Sequence, residues 1–148
     1  MPPGSLPSRL LHARALGAVG ALLVMVALTV ASHTPGDALP PSPMDGLDKL
    51  EHALAWLVLA ALLAQATAAG RGWRRLVLAV GLAIGFGVVD ELHQASVPGR
   101  DSSLADLVAD AIGAGLGATL AARALRRGGA APSTPSRGAA PARPGGAE

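Results

Sequence analysis

Predominantly apolar runs alternate with short polar segments along the chain, and this pattern predicts four membrane-spanning helices. The runs cover residues 15–31, 47–69, 76–89 and 104–125. The first run has no charged residue and approaches the roughly 20 residues that a helix needs to cross a bilayer. The third run is shorter, but it can continue through the polar residues 90–94. We therefore predict an all-α membrane protein that forms a four-transmembrane-helix bundle.

The segments between and after the helices are hydrophilic or unfavourable to helices. Residues 32–46 contain four prolines and two aspartates, which predicts a water-exposed loop. Residues 70–75 combine three arginines with a tryptophan, a residue typical of the membrane interface. Residues 126–148 have few large apolar side chains, which predicts a disordered cytoplasmic tail. The predicted regions are an N-terminal cytoplasmic segment 1–14, a transmembrane domain 15–125 and the tail 126–148.

The first apolar run has a second interpretation. Arg9 and Arg14 precede it, as basic residues precede the apolar core of a cleaved signal peptide. The run is long for such a core, and no clear small-residue cleavage site follows it, so we favour a membrane span. The remaining helices keep their orientation under either interpretation.

Composition excludes several classes of protein. Mean hydropathy is +0.44 and 51% of the residues are hydrophobic, which is too apolar for an ordinary soluble domain of 148 residues. The chain has no cysteine, so disulfides, thiolate metal sites and cysteine nucleophiles are excluded. No basic helix face with interleaved aromatic residues is present, and we predict no nucleic-acid partner. Composition leaves the oligomeric state open.

Basic residues are distributed unevenly between the two predicted sides of the membrane. All of them except Lys49 and Arg100 precede the first helix, lie between the second and third, or lie at the end of the fourth and beyond it. Every acidic residue except Glu148 falls on the opposite side. Because basic residues are enriched on the cytoplasmic side, both termini are predicted to be cytoplasmic.

Three polar segments are therefore predicted to meet on the outer side. Residues 48–52 open the second helix, residues 90–94 close the third, and residues 100–110 lead into the fourth. Residues three or four apart project from one helix face. Such pairs are Asp48 and His52, Glu91 and Gln94, and Asp106 and Asp110. This spacing predicts one shallow polar cluster, with the carboxylates of the fourth helix directed into the bundle.

Glycines at four-residue spacing predict where the helices pack. Gly113 and Gly117 continue the helix face that carries Asp110, and Gly81 and Gly85 give the third helix a comparable surface. Small residues at this spacing let helix backbones approach closely within a membrane. We therefore expect both pairs at helix contacts.

The polar residues also match the motifs of a known family. D-K-x-x-H occurs at residues 48–52, D-E-x-H-Q at 90–94, P-G-R at 98–100, and S-x-x-D followed by D-x-x-G-x-x-x-G at 103–117. Together they resemble the VanZ-like family of small bacterial membrane proteins, named after a member associated with low-level teicoplanin resistance. The resemblance implies a multi-pass protein of the bacterial inner membrane and supplies no settled reaction. The chain departs from the family pattern at Ala53 and Ser96, where aromatic residues are usual, and at Asp110, where asparagine is usual.

Three functions from different classes remain open. The first is binding of an anionic lipid or lipid-linked cell-envelope precursor, with Arg100 and Lys49 holding its phosphate, and a contribution to teicoplanin resistance. The second is an enzyme that acts on a lipid-linked substrate, with His52 or Glu91 as general base. The third is a structural membrane protein that acts through a partner. The candidate residues are His52 and Glu91 for catalysis and, for substrate binding, Asp48, Lys49, Gln94, Arg100, Asp106 and Asp110.

Several of these residues also have a purely structural interpretation. His52 could bond to a carboxylate of its own helix, Asp48 or Glu51. Arg100 could form a salt bridge to Asp106, Asp110 or Glu91.

The loop before the fourth helix carries turn and capping signals. Pro98 and Gly99 predict a tight turn with a positive φ at the glycine. Ser102 or Ser103 is expected to cap the fourth helix, with Asp106 completing a capping box.

Five of the polar residues have side chains that can bind a metal ion. His52, His93, Glu91, Asp106 and Asp110 offer suitable nitrogen and oxygen ligands for a divalent ion. No H-E-x-x-H or comparable ligand spacing is present. The sequence therefore predicts no metal and no cofactor.

Overall fold

The computed structural model describes residues 8–39, 44, 46–67 and 72–129, and all regular structure within them is helical. The elements are α1 (Ser8–Ser32), a 3-10 turn (Gly36–Ala38), α2 (Leu47–Ala66), α3 (Gly72–Gln94) and α4 (Leu104–Gly129). The predicted all-α class is confirmed. Three of the helices, α1, α3 and α4, are long and apolar enough to cross a membrane. That all four helices span the membrane stays a prediction.

The helices extend beyond their predicted limits at the arginine-rich ends. Helix α1 begins at Ser8, so Arg9 and Arg14 lie inside its first two turns. Helix α4 continues past the predicted end at residue 125 to Gly129. Alanine and arginine favour helices, and an arginine can extend its charged end towards water from within a helix. The rest of the predicted tail, 130–148, lies outside the described residues.

Helix α2 is the centre of the bundle, with α1, α3 and α4 packed around it. It buries Trp56, Leu59, Ala60 and Ala64 against small side chains of the neighbouring helices. The outer surface of α1, α3 and α4 carries exposed leucines and valines, as expected of helices that face lipid tails. The core therefore depends on close backbone approach rather than on large side chains.

The closest approach is between α2 and α4, at the two glycines predicted to lie there. A Cβ atom added at Gly113 would overlap the carbonyl oxygen of Ala53, and one added at Gly117 would overlap that of Leu57. Both glycines are buried. The prediction for this pair is confirmed, because only glycine leaves room for the backbone of α2.

The corresponding prediction for α3 is wrong. Gly81 and Gly85 are exposed, and a Cβ atom at either would meet nothing within 4 Å. Helix α3 instead packs through Ala79, Ala83 and Gly87, which are buried. Glycine spacing identifies a helix face suited to packing, but it does not say which way that face is turned.

The two ends of the bundle differ in character. At one end the guanidinium Nε of Arg14 donates to the carbonyl of Ala66 at 3.1 Å, which joins the start of α1 to the end of α2. At the other end the backbone N–H of Gly36 donates to the carbonyl of Pro98 at 3.0 Å. This bond joins the loop after α1 to the loop after α3. The three polar segments thus lie at one end of the bundle, as predicted.

Candidate functional site

His52, in the second turn of α2, pairs with a carboxylate of α4 rather than with one of its own helix. Its Nδ1 lies 2.9 Å from Oδ1 of Asp110, a carboxylate with no exposed surface. The imidazole stacks on the indole of Trp56 with ring centroids 5.5 Å apart. The indole N–H in turn donates to the carbonyl of Ala83 in α3 at 2.9 Å. Carboxylate and indole together fix the orientation of the imidazole ring.

This arrangement corrects the expectation that His52 bonds within α2. Asp48 lies one turn earlier but is engaged by Lys49 instead. The close approach at Gly113 brings α4 near enough for Asp110 to reach the ring across the helix contact. A tertiary contact has therefore replaced the i, i+4 pair.

Glu91, near the end of α3, is 7% exposed and holds the start of α4. Its Oε2 accepts the backbone N–H of Ser103 at 2.7 Å. Ser103 is the capping residue, because its carbonyl accepts the N–H of Asp106 and of Leu107, and its hydroxyl also accepts the N–H of Asp106 at 3.4 Å. The serine cap is confirmed. In the expected capping box Asp106 would accept the Ser103 N–H, but Glu91 from another helix does so.

Lys49 is shared by two carboxylates at the first turn of α2. Its ammonium lies 2.6 Å from Oδ1 of Asp106 and 2.6 Å from Oδ2 of Asp48. The charge of Lys49 is therefore already neutralised by the protein.

Arg100 follows a tight turn in which Gly99 has a φ of +72° and the N–H of Arg100 donates to the carbonyl of Val97 at 3.2 Å. The turn predicted from Pro98 and Gly99 is confirmed. The Nη2 of Arg100 donates to the carbonyl of Ala31 at 3.2 Å. None of the ion pairs among the described residues involves Arg100, so the expected salt bridge to a neighbouring carboxylate is not formed.

A pocket of about 220 Å³ lies between α1, α2, the end of α3 and Arg100. Gln94, Asp90 and Ser32 all line this pocket. The side-chain amide of Gln94 donates to Asp90 at 2.8 Å and to the Ser32 hydroxyl at 3.3 Å. The other polar side chains on the pocket wall are those of Asp48, Glu51, His52, Trp56 and Arg100. Arg100 is the only lysine or arginine among the lining residues.

Glu91 faces a different pocket, of about 200 Å³, between α3 and α4. Its walls are mostly apolar and include Val88, Leu92, Leu104 and Leu107. The adjacent carboxylates of α3 therefore line different pockets, Asp90 the polar one and Glu91 the apolar one.

Three ionisable side chains meet where α2, α3 and α4 pack together. One ligand atom from each of His52, Glu91 and Asp110 lies within 4.8 Å of the others. They come from α2, α3 and α4 respectively, so none of the three helices alone carries this group. The side chain of His93, another possible metal ligand by residue type, lies elsewhere. Its Nε2 is 3.1 Å from Nδ1 of His33 at the exposed end of the bundle.

The VanZ/LLP1 family model matches residues 25–126, which include every candidate residue described above. The chain belongs to the VanZ/LLP1 family. Family membership and three helices of spanning length identify it as a membrane protein. No curated protein and no solved structure matches the chain.

Sequence reasoning did not name as candidate site residues three residues that line the polar pocket of this VanZ/LLP1 protein. Trp56, Asp90 and Ser32 all line the polar pocket and are buried. Two of them carried a usable signal, because Trp56 stands four residues after His52 and Asp90 four residues before Gln94. Ser32 carried none, since its role depends on where α1 ends against α3.

Proposed function

We propose that this protein binds the phosphate group of an anionic lipid or a lipid-linked cell-envelope precursor in the pocket beside Arg100. The observation that carries the proposal is the state of the Arg100 guanidinium. It lines the pocket, it makes no ion pair with the described residues, and its Nε is buried without a hydrogen-bond partner among them.

A guanidinium in this state is suited to a phosphate. Arginine presents five N–H donors in a planar fork that matches two phosphate oxygens at once. A buried donor with no partner costs free energy, which a bound acceptor would recover. Lys49, by contrast, is engaged by Asp48 and Asp106, so the proposal assigns the phosphate contact mainly to Arg100.

The surroundings of the pocket suit a ligand with a lipid tail. Leu28 and Ala31 of α1 form part of its wall, and α1 exposes apolar side chains along its length. A phosphate at the pocket would leave its tail free to lie along such a surface. We also propose that this end of the bundle faces the outer leaflet, because the arginines of α1, α3 and α4 gather at the opposite end.

Lipid mass spectrometry on gently purified protein tests the proposal. Wild-type protein should retain an anionic phospholipid or a polyprenyl phosphate, and Arg100→Ala should lose it while still inserting and folding. Arg123→Ala removes an exposed arginine near the opposite end and should retain the lipid, which controls for general charge attraction. Retention of the same lipid by Arg100→Ala would remove the phosphate contact from consideration.

We extend the proposal to glycopeptide resistance, because the family is named after a member associated with low-level teicoplanin resistance. Expression of this protein would raise tolerance to teicoplanin, and Arg100→Ala would abolish that effect at equal protein levels. Unchanged tolerance on expression of the wild-type protein would reject this extension without affecting the lipid-binding proposal.

The His52–Asp110 pair favours a second candidate, an enzyme that acts on the bound lipid-linked substrate. A histidine held at Nδ1 by a buried carboxylate has its other ring nitrogen available as a base, and His52 lines the pocket that contains Arg100. Arg100 would then stabilise developing negative charge. Purified protein should turn over a lipid-linked phosphate substrate, and His52→Ala and Glu91→Gln should not. Equal turnover in these variants would reject the enzymatic role.

A further inference from the structure

We infer that His52, Glu91 and Asp110 form a binding site for a divalent metal ion. Their ligand atoms already lie within 4.8 Å of one another, a separation from which small side-chain movements bring three ligands onto one ion. The three residues belong to three helices that pack together, so the positions of the ligands are set by the core of the bundle. The inference goes beyond lipid binding and does not require it.

The first independent support is a pair of unsatisfied acceptors. Oδ2 of Asp110 and Oε1 of Glu91 are both buried, and neither has a hydrogen-bond partner among the described residues. Asp110 has no exposed surface and Glu91 is 7% exposed, so bulk water does not satisfy these oxygens. A buried carboxylate oxygen without a partner costs free energy, and a metal ion would satisfy both oxygens at once.

The second support is the balance of charge around the triad. Asp90, Glu91, Asp106 and Asp110 are all buried at this end of the bundle. Lys49 forms an ion pair with Asp106, but the hydrogen bonds that Asp90 and Glu91 accept from the described residues come from an amide and a backbone N–H. Such neutral donors orient a carboxylate without cancelling its charge. Uncompensated buried charge is unfavourable, and a divalent cation would supply the missing positive charge.

The ligand set indicates the class of ion. One imidazole and two carboxylates suit zinc, manganese or ferrous iron, whereas a soft ion would require sulfur ligands. Three protein ligands leave coordination positions for water or a ligand oxygen, as in open metal sites. The absence of an H-E-x-x-H spacing does not argue against this site, because its ligands come from three helices instead of one.

The test is metal binding by the full chain in detergent, stripped with a chelator and then titrated with manganese or zinc alone. Wild-type protein should retain one ion per chain after gel filtration, measured by elemental analysis. The fluorescence of Trp56 should change during the titration, because its indole stacks on His52. Asp110→Asn and Glu91→Gln should each weaken binding at least about tenfold.

Two matched variants separate this site from general charge effects and from lipid binding. Asp101→Asn removes an exposed carboxylate at the same end and should bind the metal as the wild type does. Arg100→Ala should lose the phosphate ligand but keep the metal. Equal binding by wild type and Asp110→Asn, or an equal loss in Asp101→Asn, would overturn the inference.

Folding of the variants is checked by circular dichroism. A spectroscopic measurement on the wild-type protein provides a test that does not depend on the folding of any variant. Spin-echo spectra of bound manganese should reveal coupling to a histidine nitrogen, and this coupling should vanish in His52→Ala. A manganese signal without nitrogen coupling in the wild-type protein would overturn the inference even if Asp110→Asn did not fold.

Discussion

Replacement of Gly117 by alanine tests the contact on which the bundle depends. The added methyl group would overlap the carbonyl oxygen of Leu57 and would lie 2.9 Å from its Cα atom. Both atoms belong to the backbone of α2, so no side-chain rotation relieves the overlap and the two helices must separate. Overpacking of this kind costs about 1–3 kcal/mol, and a rigid backbone neighbour favours the upper part of that range. Alanine recovers about 1 kcal/mol through its higher helix propensity, which leaves a net loss of about 2 kcal/mol.

Gly81→Ala is the matched control for this substitution. It makes the same chemical change in the middle of α3, where an added Cβ meets nothing within 4 Å. It should therefore stabilise the protein by up to about 1 kcal/mol through helix propensity alone. Both variants are denatured in detergent and their unfolding is followed by circular dichroism. Their free energies of unfolding should differ by about 3 kcal/mol. Equal unfolding free energies would contradict the close approach of α2 and α4 described above.

Two further predictions concern the polar end of the bundle. Lys49→Met should destabilise the protein by leaving the buried Asp106 without its counter-charge, and Asp106→Asn in the same chain should restore part of the loss. Because Lys49 is partly exposed, the coupling in this double-mutant cycle should not exceed about 1 kcal/mol. Since the chain has no cysteine, single cysteines at Leu50 and Ser102 should both react with an impermeant thiol reagent from outside the cell, and one at Trp73 should not. Labelling of Leu50→Cys and Ser102→Cys from different sides would contradict the shared polar end.

The grouping of the polar segments at one end could be predicted from sequence, because charge distribution and apolar run length are properties of short stretches of chain. The contact at Gly113 and Gly117 could be predicted for a similar reason, since both glycines share a face with the buried Asp110. The turn at Gly99 and the cap at Ser103 follow from local residue preferences.

The partners of individual side chains could not be predicted in the same way. The pairing of His52 with Asp110 joins residues 58 positions apart and depends on the rotation of two helices about their axes. The same dependence explains why Gly81 and Gly85 lie on the exposed face of α3, although they have the same four-residue spacing as Gly113 and Gly117. Sequence spacing selects a face of each helix, but the packing of the whole bundle decides what that face meets.

The central position of α2 explains how so apolar a bundle accommodates buried carboxylates. Lys49 and His52 lie on α2 and contact Asp106 and Asp110 of α4, at the end of the same interface where Gly113 contacts Ala53. The backbone approach that stabilises the bundle therefore also sets the distance between the imidazole and its carboxylate. The packing of α2 against α4 and the polar cluster form one structural unit. A change that separates these two helices should therefore weaken the proposed ligand binding at this end even when no polar residue is altered.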